Sequence, residues 1–407
     1  MDTAMLYALR DPLGIPAHPV IFLILGVVTF ALHIAAVHVL LGSSALALRG
    51  SFSKQAHWRR LADAMVNTAK VAISVAIVIG VAPLLFVQVI YDPFWYTSNV
   101  LSAWWVIGFI FILIVATLAL YLFYAMNYEI RTKKTRWTIA MLVALPLFLV
   151  VGFIMHFLSM QMLEPDKWLE WYAPGGIIDA SGRSIHAWDL SRFSFFILLS
   201  APVIGIWLFG YRRYLQGAGE QDSDYLEFVK RIATRLGVVG TAISLVLLVM
   251  WMKGLPDDIA GFATGIWPIA TAVALILVAA YPLLLGKRLD QGMWGYTPIL
   301  IATVGMIVVA TMREAIRWVT LYGVHGYNPL DYKIVMDWYS TILFFVTFGV
   351  LGAGVLAYML TLAWQAGQTE GTYTPSRAIN RMGTVAIVLL LLWVAQYFGF
   401  GLWVAYK

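Results

Sequence analysis

A chain of 407 residues that is 61% hydrophobic and only 12% charged, with a mean hydropathy of +0.83, falls far below the roughly 25% charge of soluble domains, which excludes a water-soluble fold. The absence of cysteine excludes disulfides, iron–sulfur clusters, thiolate metal sites and haem attached through C-x-x-C-H, so a redox cofactor would have to sit on His, Met, Glu or Lys. The net charge of +6 gathers in alternate joints between apolar runs, which is a signature of membrane topology and not of a nucleic-acid surface.

Taken from the N-terminus, residues 1–18 mix acidic and basic side chains without a small-residue cleavage site, so the first apolar run reads as a true span and not as a removable signal. One crossing needs about 20 mainly apolar residues. Such runs fall at roughly 19–42, 68–91, 103–126, 137–160, 188–210, 232–252, 264–286, 295–317, 338–363 and 382–404. The expectation is an all-α, polytopic transmembrane helical bundle of about ten spans, a single integral membrane domain over 1–407 with no room for a soluble one.

The joint after the first run carries Arg49, Lys54, Arg59 and Arg60, and that after the third carries Arg131, Lys133, Lys134 and Arg136. Arg212, Arg213, Lys230 and Arg231, then Lys287 and Arg288, then Arg377 and Arg381 continue the alternation. Positive residues stay inside, so the N-terminus is expected outside, with Lys407 on the same side. The opposite joints are short and aromatic, as in Asp92-Pro93-Phe94-Trp95-Tyr96 and Trp168-Leu169-Glu170-Trp171-Tyr172, which suits the headgroup level. Prolines 83, 146, 202, 268 and 282 fall inside the expected helices, where they would kink the backbone and free carbonyls.

Seven histidines can be sorted one by one. His57 falls in a basic inner joint and His325 in an outer one, both solvated on this reading, and His18 sits at the outer mouth of the first span. His33 and His38 on the first span, His156 on the fourth and His186 at the start of the fifth lie within or at the edge of hydrocarbon, where a polar ring needs a partner. Imidazole is the commonest haem-iron ligand, and two from different helices make a six-coordinate haem b suited to electron transfer. His156 and His186 end and begin consecutive spans, which places them in one outer layer. His33 and His38, five residues apart, are separated by about 140° around a helix, so at most one is expected at any given iron.

Near the end of the eighth span stands Met312-Arg313-Glu314-Ala315-Ile316-Arg317-Trp318. Glu314 and Arg317 share a helix face and can pair. Arg313 and Arg317 offer forked donors to the carboxylates of a cofactor or to a quinone, and Glu314 can ligate or move protons. The plain alternative is an interfacial salt bridge.

The order of these features resembles subunit I of the cytochrome bd quinol oxidases. His33 stands nine residues before Gly42 in HIAAVHVLLG, similar to the family's first-span haem ligand and glycine. Gly80-Val81-Ala82 runs into the aromatic turn at Asp92, Met160-Gln161-Met162 with Pro165 resembles the end of the family's fourth span, and Glu314-x-x-Arg317-Trp318 with Tyr322-Gly323 resembles its E-x-x-R signature. The resemblance implies that His186, in RSIHAWDLSRFSFF, ligates a low-spin haem b and that Glu314 belongs to an oxygen-reducing haem site. Three departures count against the family's activity. No acid occurs over 102–126 where the oxidases carry glutamates, no Met occurs over 262–285 where they carry the partner of that fifth-span His, and the joint Lys253-Gly254-Leu255-Pro256-Asp257-Asp258 replaces a long quinol-binding loop. His156 then becomes the expected partner of His186.

The leading expectation is a haem-b-binding, bd-oxidase-like subunit in a bacterial cytoplasmic membrane, passing electrons between the quinone pool and a redox partner at the outer face. Its ligands would be His33, His156 and His186, with His38 in reserve, Arg313 on the cofactor, and Glu314 and Arg317 in the reaction. Companion respiratory-complex subunits and an outer c-type cytochrome are the expected partners, beside membrane lipid. The alternatives are an oxygen-reducing quinol oxidase subunit and, from another class, a haem-free transporter or channel, for which neither inverted repeats nor paired broken helices are visible.

Overall fold

The computed structural model describes residues 3–127, 137–369 and 371–406. The basic cluster Arg131, Lys133, Lys134 and Arg136, and Lys407, lie outside them. The protein is 83% helical, and among the described residues it has no strand beyond an isolated bridge between Ile15 and Ile334. Among the described residues ten helices are long and apolar enough to cross a membrane: Pro19–Ser51, Ala56–Ile90, Ala103–Met126, Thr138–Gln161, Leu190–Gly217, Ser223–Lys253, Ile266–Asp290, Gly292–Val324, Trp338–Gly367 and Arg377–Ala405. They are referred to below as the first to tenth spans. The chain is an integral membrane protein by this measure.

Several helices outrun their apolar segments, and this corrects the placement of the basic residues. Arg49 belongs to the first helix, His57, Arg59 and Arg60 to the second, Arg212 and Arg213 to the fifth, and Lys230 and Arg231 to the sixth. A backbone that satisfies its own hydrogen bonds has no reason to stop where hydrocarbon stops, so charged turns continue the helix into the polar layer. His57 is not in a loop. Its ring packs 5.5 Å from that of Phe228 on the sixth span, centroid to centroid.

Prolines behave according to position. Pro83, Pro146 and Pro282 sit inside continuous helices. Pro268 is the third residue of its helix, where a missing N–H costs nothing. The fifth span is interrupted at Leu199, between Leu190–Leu198 and Ser200–Gly217. Pro202 cannot donate to the carbonyl four residues back, that of Leu198, which accounts for the break.

The described residues cluster into two compact units. The first comprises 1–12, 19–213 and 222–332 and holds the first eight spans except for residues 214–217 at the end of the fifth. One apolar core in it joins the first, fifth, sixth, seventh and eighth spans through residues such as Ala31, Phe195, Leu199, Trp251, Leu275 and Val309. The first span approaches the fifth closely at Gly42, where an added Cβ would stand 2.5 Å from that of Ile204. At its C-terminal end the eighth span widens into a π-helical turn, Val319–Val324. The second unit takes 13–18, 214–221 and 333–407. Within it the ninth span contains the π-helical turn Val346–Gly352, and Trp393 of the tenth donates from Nε1 to Thr347 Oγ1 at 2.7 Å.

Candidate functional site

A cavity of about 400 Å³ lies within the first unit, walled by the first, second, third, fourth, fifth and eighth spans. Its size falls in the roughly 300–1,000 Å³ range of cofactor and ligand sites. Most of the wall is aliphatic and aromatic, and its polar groups come from a few points: His33 and His38 on the first span, His156 and Ser159 on the fourth, Arg192 on the fifth, and Arg313, Glu314 and Arg317 on the eighth. Two further wall residues of the second span, Ile77 and Val81, are 41% and 54% exposed, so the cavity opens on a side that spanning helices present to lipid.

His33 is held by the second span. Its Nδ1 lies 2.9 Å from the carbonyl oxygen of Ala76, and since a carbonyl only accepts, Nδ1 carries the proton and Nε2 keeps its lone pair. The ring rests against Gly80, where a Cβ would stand 2.7 Å from both Cε1 and Nδ1. That contact explains why the second span needs glycine at this level. Donation of one ring nitrogen to a backbone carbonyl is also how ligating histidines are usually oriented.

His38 is 1% exposed. Its Nδ1 is 3.1 Å from Ser200 Oγ, on the residue that restarts the fifth span, and its Nε2 is buried without a hydrogen-bond partner. A buried polar atom left unsatisfied costs about 1–3 kcal/mol. His33 and His38 both line this one cavity, and the separation of about 140° around the helix places them on different parts of its wall.

The fourth and fifth spans meet differently from the expectation. His156 accepts at Nε2 from the backbone N–H of Asp189 at 3.1 Å and stacks on Phe153, so its lone pair is already in use. His186 does not line the cavity. Its ring stacks on Trp171 with centroids 5.0 Å apart. The cause is Gln161, fully buried at the end of the fourth span. Its Oε1 accepts from the His186 backbone at 3.1 Å and from Ser102 Oγ, while its carbonyl accepts from Trp168 Nε1 at 2.9 Å. This anchor fixes the course of the connecting segment and leaves the imidazole outside. The expected pairing of His156 with His186 is therefore not formed. Burial, working against a hydrogen bond to Leu101 and the charge of Asp179, holds the His186 ring below the ordinary histidine range.

The charged end of the cavity is built on the eighth span. Glu314 accepts from Arg317 at 2.8 Å on one oxygen and from the hydroxyl of the fully buried Tyr91 at 2.6 Å on the other. Arg313 lies 4.0 Å over the ring of Phe30. Arg192, 6% exposed, donates to Met160 Sδ at 2.6 Å and Ser159 Oγ at 3.0 Å. Asp189 caps the fifth helix by accepting from the backbone N–H groups of Ser191 and Arg192, and from there its charge acts on Arg192 at longer range.

Arg192 and Tyr91 are the functional side chains that reading the sequence missed. An arginine three residues after Asp189 looks like an interfacial charge, and Tyr91 looks like one more member of an aromatic belt. The available signal for Arg192 was its position just inside an apolar run, where an ionisable residue marks a site by default.

Among the described residues no three or more His, Asp or Glu side chains come close enough to hold a metal ion. His33, His156 and His186 are accordingly not gathered at one point. Haem makes a smaller demand, because the porphyrin fills the equatorial positions and the protein supplies one or two axial ligands. The orphaned Nε2 of His38 and the free Nε2 of His33, in one apolar cavity, fit that demand. No protein-family model matches the chain, and no curated protein matches it.

Proposed function

We propose that the chain is a haem-b-binding membrane protein, similar in scaffold to subunit I of the bd oxidases, that transfers electrons between the quinone pool and a redox partner at the outer face of a bacterial cytoplasmic membrane. The observation that carries this reading is the pair of first-span imidazoles in one apolar cavity: His38 Nε2 is buried without a partner and His33 Nε2 has its lone pair free by virtue of the bond to Ala76. Bound haem would supply a one-electron iron couple. One helix cannot turn both rings to one iron, so His33 or His38 would be its axial ligand, in place of the His156 and His186 pair expected from the sequence.

The chain's own residues have separable tasks. The Ala76 carbonyl and Gly80 orient His33. The aliphatic walls keep water from the cavity, which strengthens every charge interaction inside it. Glu314, with Tyr91 on Oε1 and Arg317 on Oε2, holds the Arg317 guanidinium in place at the charged end of the cavity. Because both its oxygens are engaged, we do not assign Glu314 to ligation, and this favours plain electron transfer over oxygen reduction. Companion respiratory subunits and an outer c-type cytochrome are the partners such a protein would need.

A pyridine haemochrome spectrum and an iron count on the purified full-length protein test the reading. The expected result is at least one protohaem per chain, lost in His38→Ala or His33→Ala. Protein that purifies from haem-replete cells folded but free of haem would end it.

A further inference from the structure

The cavity holds more positive charge than its walls neutralise. Arg192, Arg313 and Arg317 all line it, and Glu314 is the one carboxylate among the lining residues. Arg317 is paired with that carboxylate at 2.8 Å. Arg192 is bonded only to neutral groups, a thioether and a hydroxyl, and Arg313 meets the face of Phe30 with no hydrogen bond or ion pair. Two guanidinium groups at one end of an apolar site thus have no carboxylate bonded to them, Asp189 acting on Arg192 only at longer range. Arginine keeps its proton in proteins, so neither charge can be shed by deprotonation. A buried charge without a bonded partner costs several kcal/mol even after relaxation; Arg192 is buried and Arg313 half-buried, so an anion at this end of the cavity would relieve that cost.

We infer that Arg192 and Arg313 form a clamp for a ligand bearing two acid groups, the two carboxylates of a haem in the reading above, on which this inference rests. The chemistry matches in number and in kind. Two positive charges meet two negative ones, and each guanidinium presents a planar fork suited to a carboxylate. The two residues are on different spans, the fifth and the eighth, so the clamp ties those spans together once it is filled. Glu314 stays out of it, because Arg317 and Tyr91 already hold both of its oxygens.

The probes are protohaem and its dimethyl ester, in which both carboxylates are blocked while the iron and ring are unchanged. Each is titrated into the full chain, produced in haem-deficient cells and reconstituted in lipid nanodiscs, with binding read from the Soret band. Protohaem is expected to bind at least tenfold more tightly than the ester. In Arg313→Gln and in Arg192→Gln that preference should shrink severalfold, while Arg313→Lys keeps most of it. Equal affinity for the two probes overturns the clamp and leaves the haem reading intact; failure to bind either overturns both. Phosphorus analysis covers the other source of paired anions. A phospholipid that copurifies one to one with the wild-type chain, is lost in Arg313→Gln and is not displaced by protohaem would assign the clamp to lipid and overturn the inference. Should the arginine variants not fold, the comparison of the two probes on the wild-type chain still decides.

Discussion

Replacing Gly80 by alanine tests how the second span positions His33. The new methyl carbon would stand 2.7 Å from Cε1 and from Nδ1 of the imidazole, a distance that carbon contacts do not tolerate. The ring must turn away, and it takes with it the 2.9 Å bond to the Ala76 carbonyl. The Ala76 carbonyl keeps its helical bond from the Gly80 N–H, but stranding the ring nitrogen costs about 1–3 kcal/mol, and forcing a methyl group into a filled site adds about 1–3 kcal/mol. The better helix propensity of alanine returns about 1 kcal/mol. The balance is a loss of about 1–5 kcal/mol. Gly108 of the third span is the control, since a Cβ there meets nothing within 4 Å and Gly108→Ala should gain up to about 1 kcal/mol. Equilibrium unfolding of the purified proteins in mixed detergent micelles, followed by circular dichroism, measures both. If Gly80→Ala proves as stable as Gly108→Ala, the contact between Gly80 and the His33 ring does not exist as described.

Three other outcomes are expected. Tyr91→Phe removes the donor to Glu314 Oε1 and should cost about 1.5–3 kcal/mol as a bond to a charged group; a double-mutant cycle with Glu314→Gln should show coupling above about 0.5 kcal/mol, and strict additivity would disprove the pairing. His38→Leu removes an imidazole nitrogen that has no partner, so in haem-free protein it should destabilise by less than about 1.5 kcal/mol, while in haem-replete cells it should yield protein without a Soret band. For His186, burial lowers the folded-state value below the ordinary 6.5, so the unfolded chain binds the proton more readily. Its contribution is intact above pH 6.5 and fades as pH falls below it; unfolding curves from pH 7.5 to 5 should show that decline reduced in His186→Gln, and an unchanged slope would count against the buried, Trp171-stacked ring.

The spans were legible because hydrocarbon imposes the plainest constraint a sequence can carry. The third is expected at 103–126 and found at Ala103–Met126. Their polar extensions were not legible, since nothing in Arg49 or Arg59 distinguishes a helical turn in the headgroup layer from a loop. The cavity was legible in part: His33, His38, His156, Arg313, Glu314 and Arg317 were all singled out and all line it. What failed was the pairing. It rested on depth, which spacing along a helix gives, whereas the direction of the His186 ring depends on the hydrogen bonds that Gln161 makes to a connecting segment. Those bonds are tertiary and leave no periodic trace. The same holds for the orphaned nitrogen of His38, which depends on where the fifth span is broken.

The exposed side chains of Ile77 and Val81 at the cavity wall bear on how the site would be filled. A molecule arriving past them comes from among acyl chains, so its effective concentration is its mole fraction in the bilayer and not its amount in the surrounding water. Sparingly soluble, flat, lipophilic compounds are then enriched at the opening before any contact with the protein, and small hydrophilic anions are depleted there. Occupancy of such a site would follow lipid composition and membrane area, and binding constants taken in detergent and in vesicles would agree only after correction for partitioning.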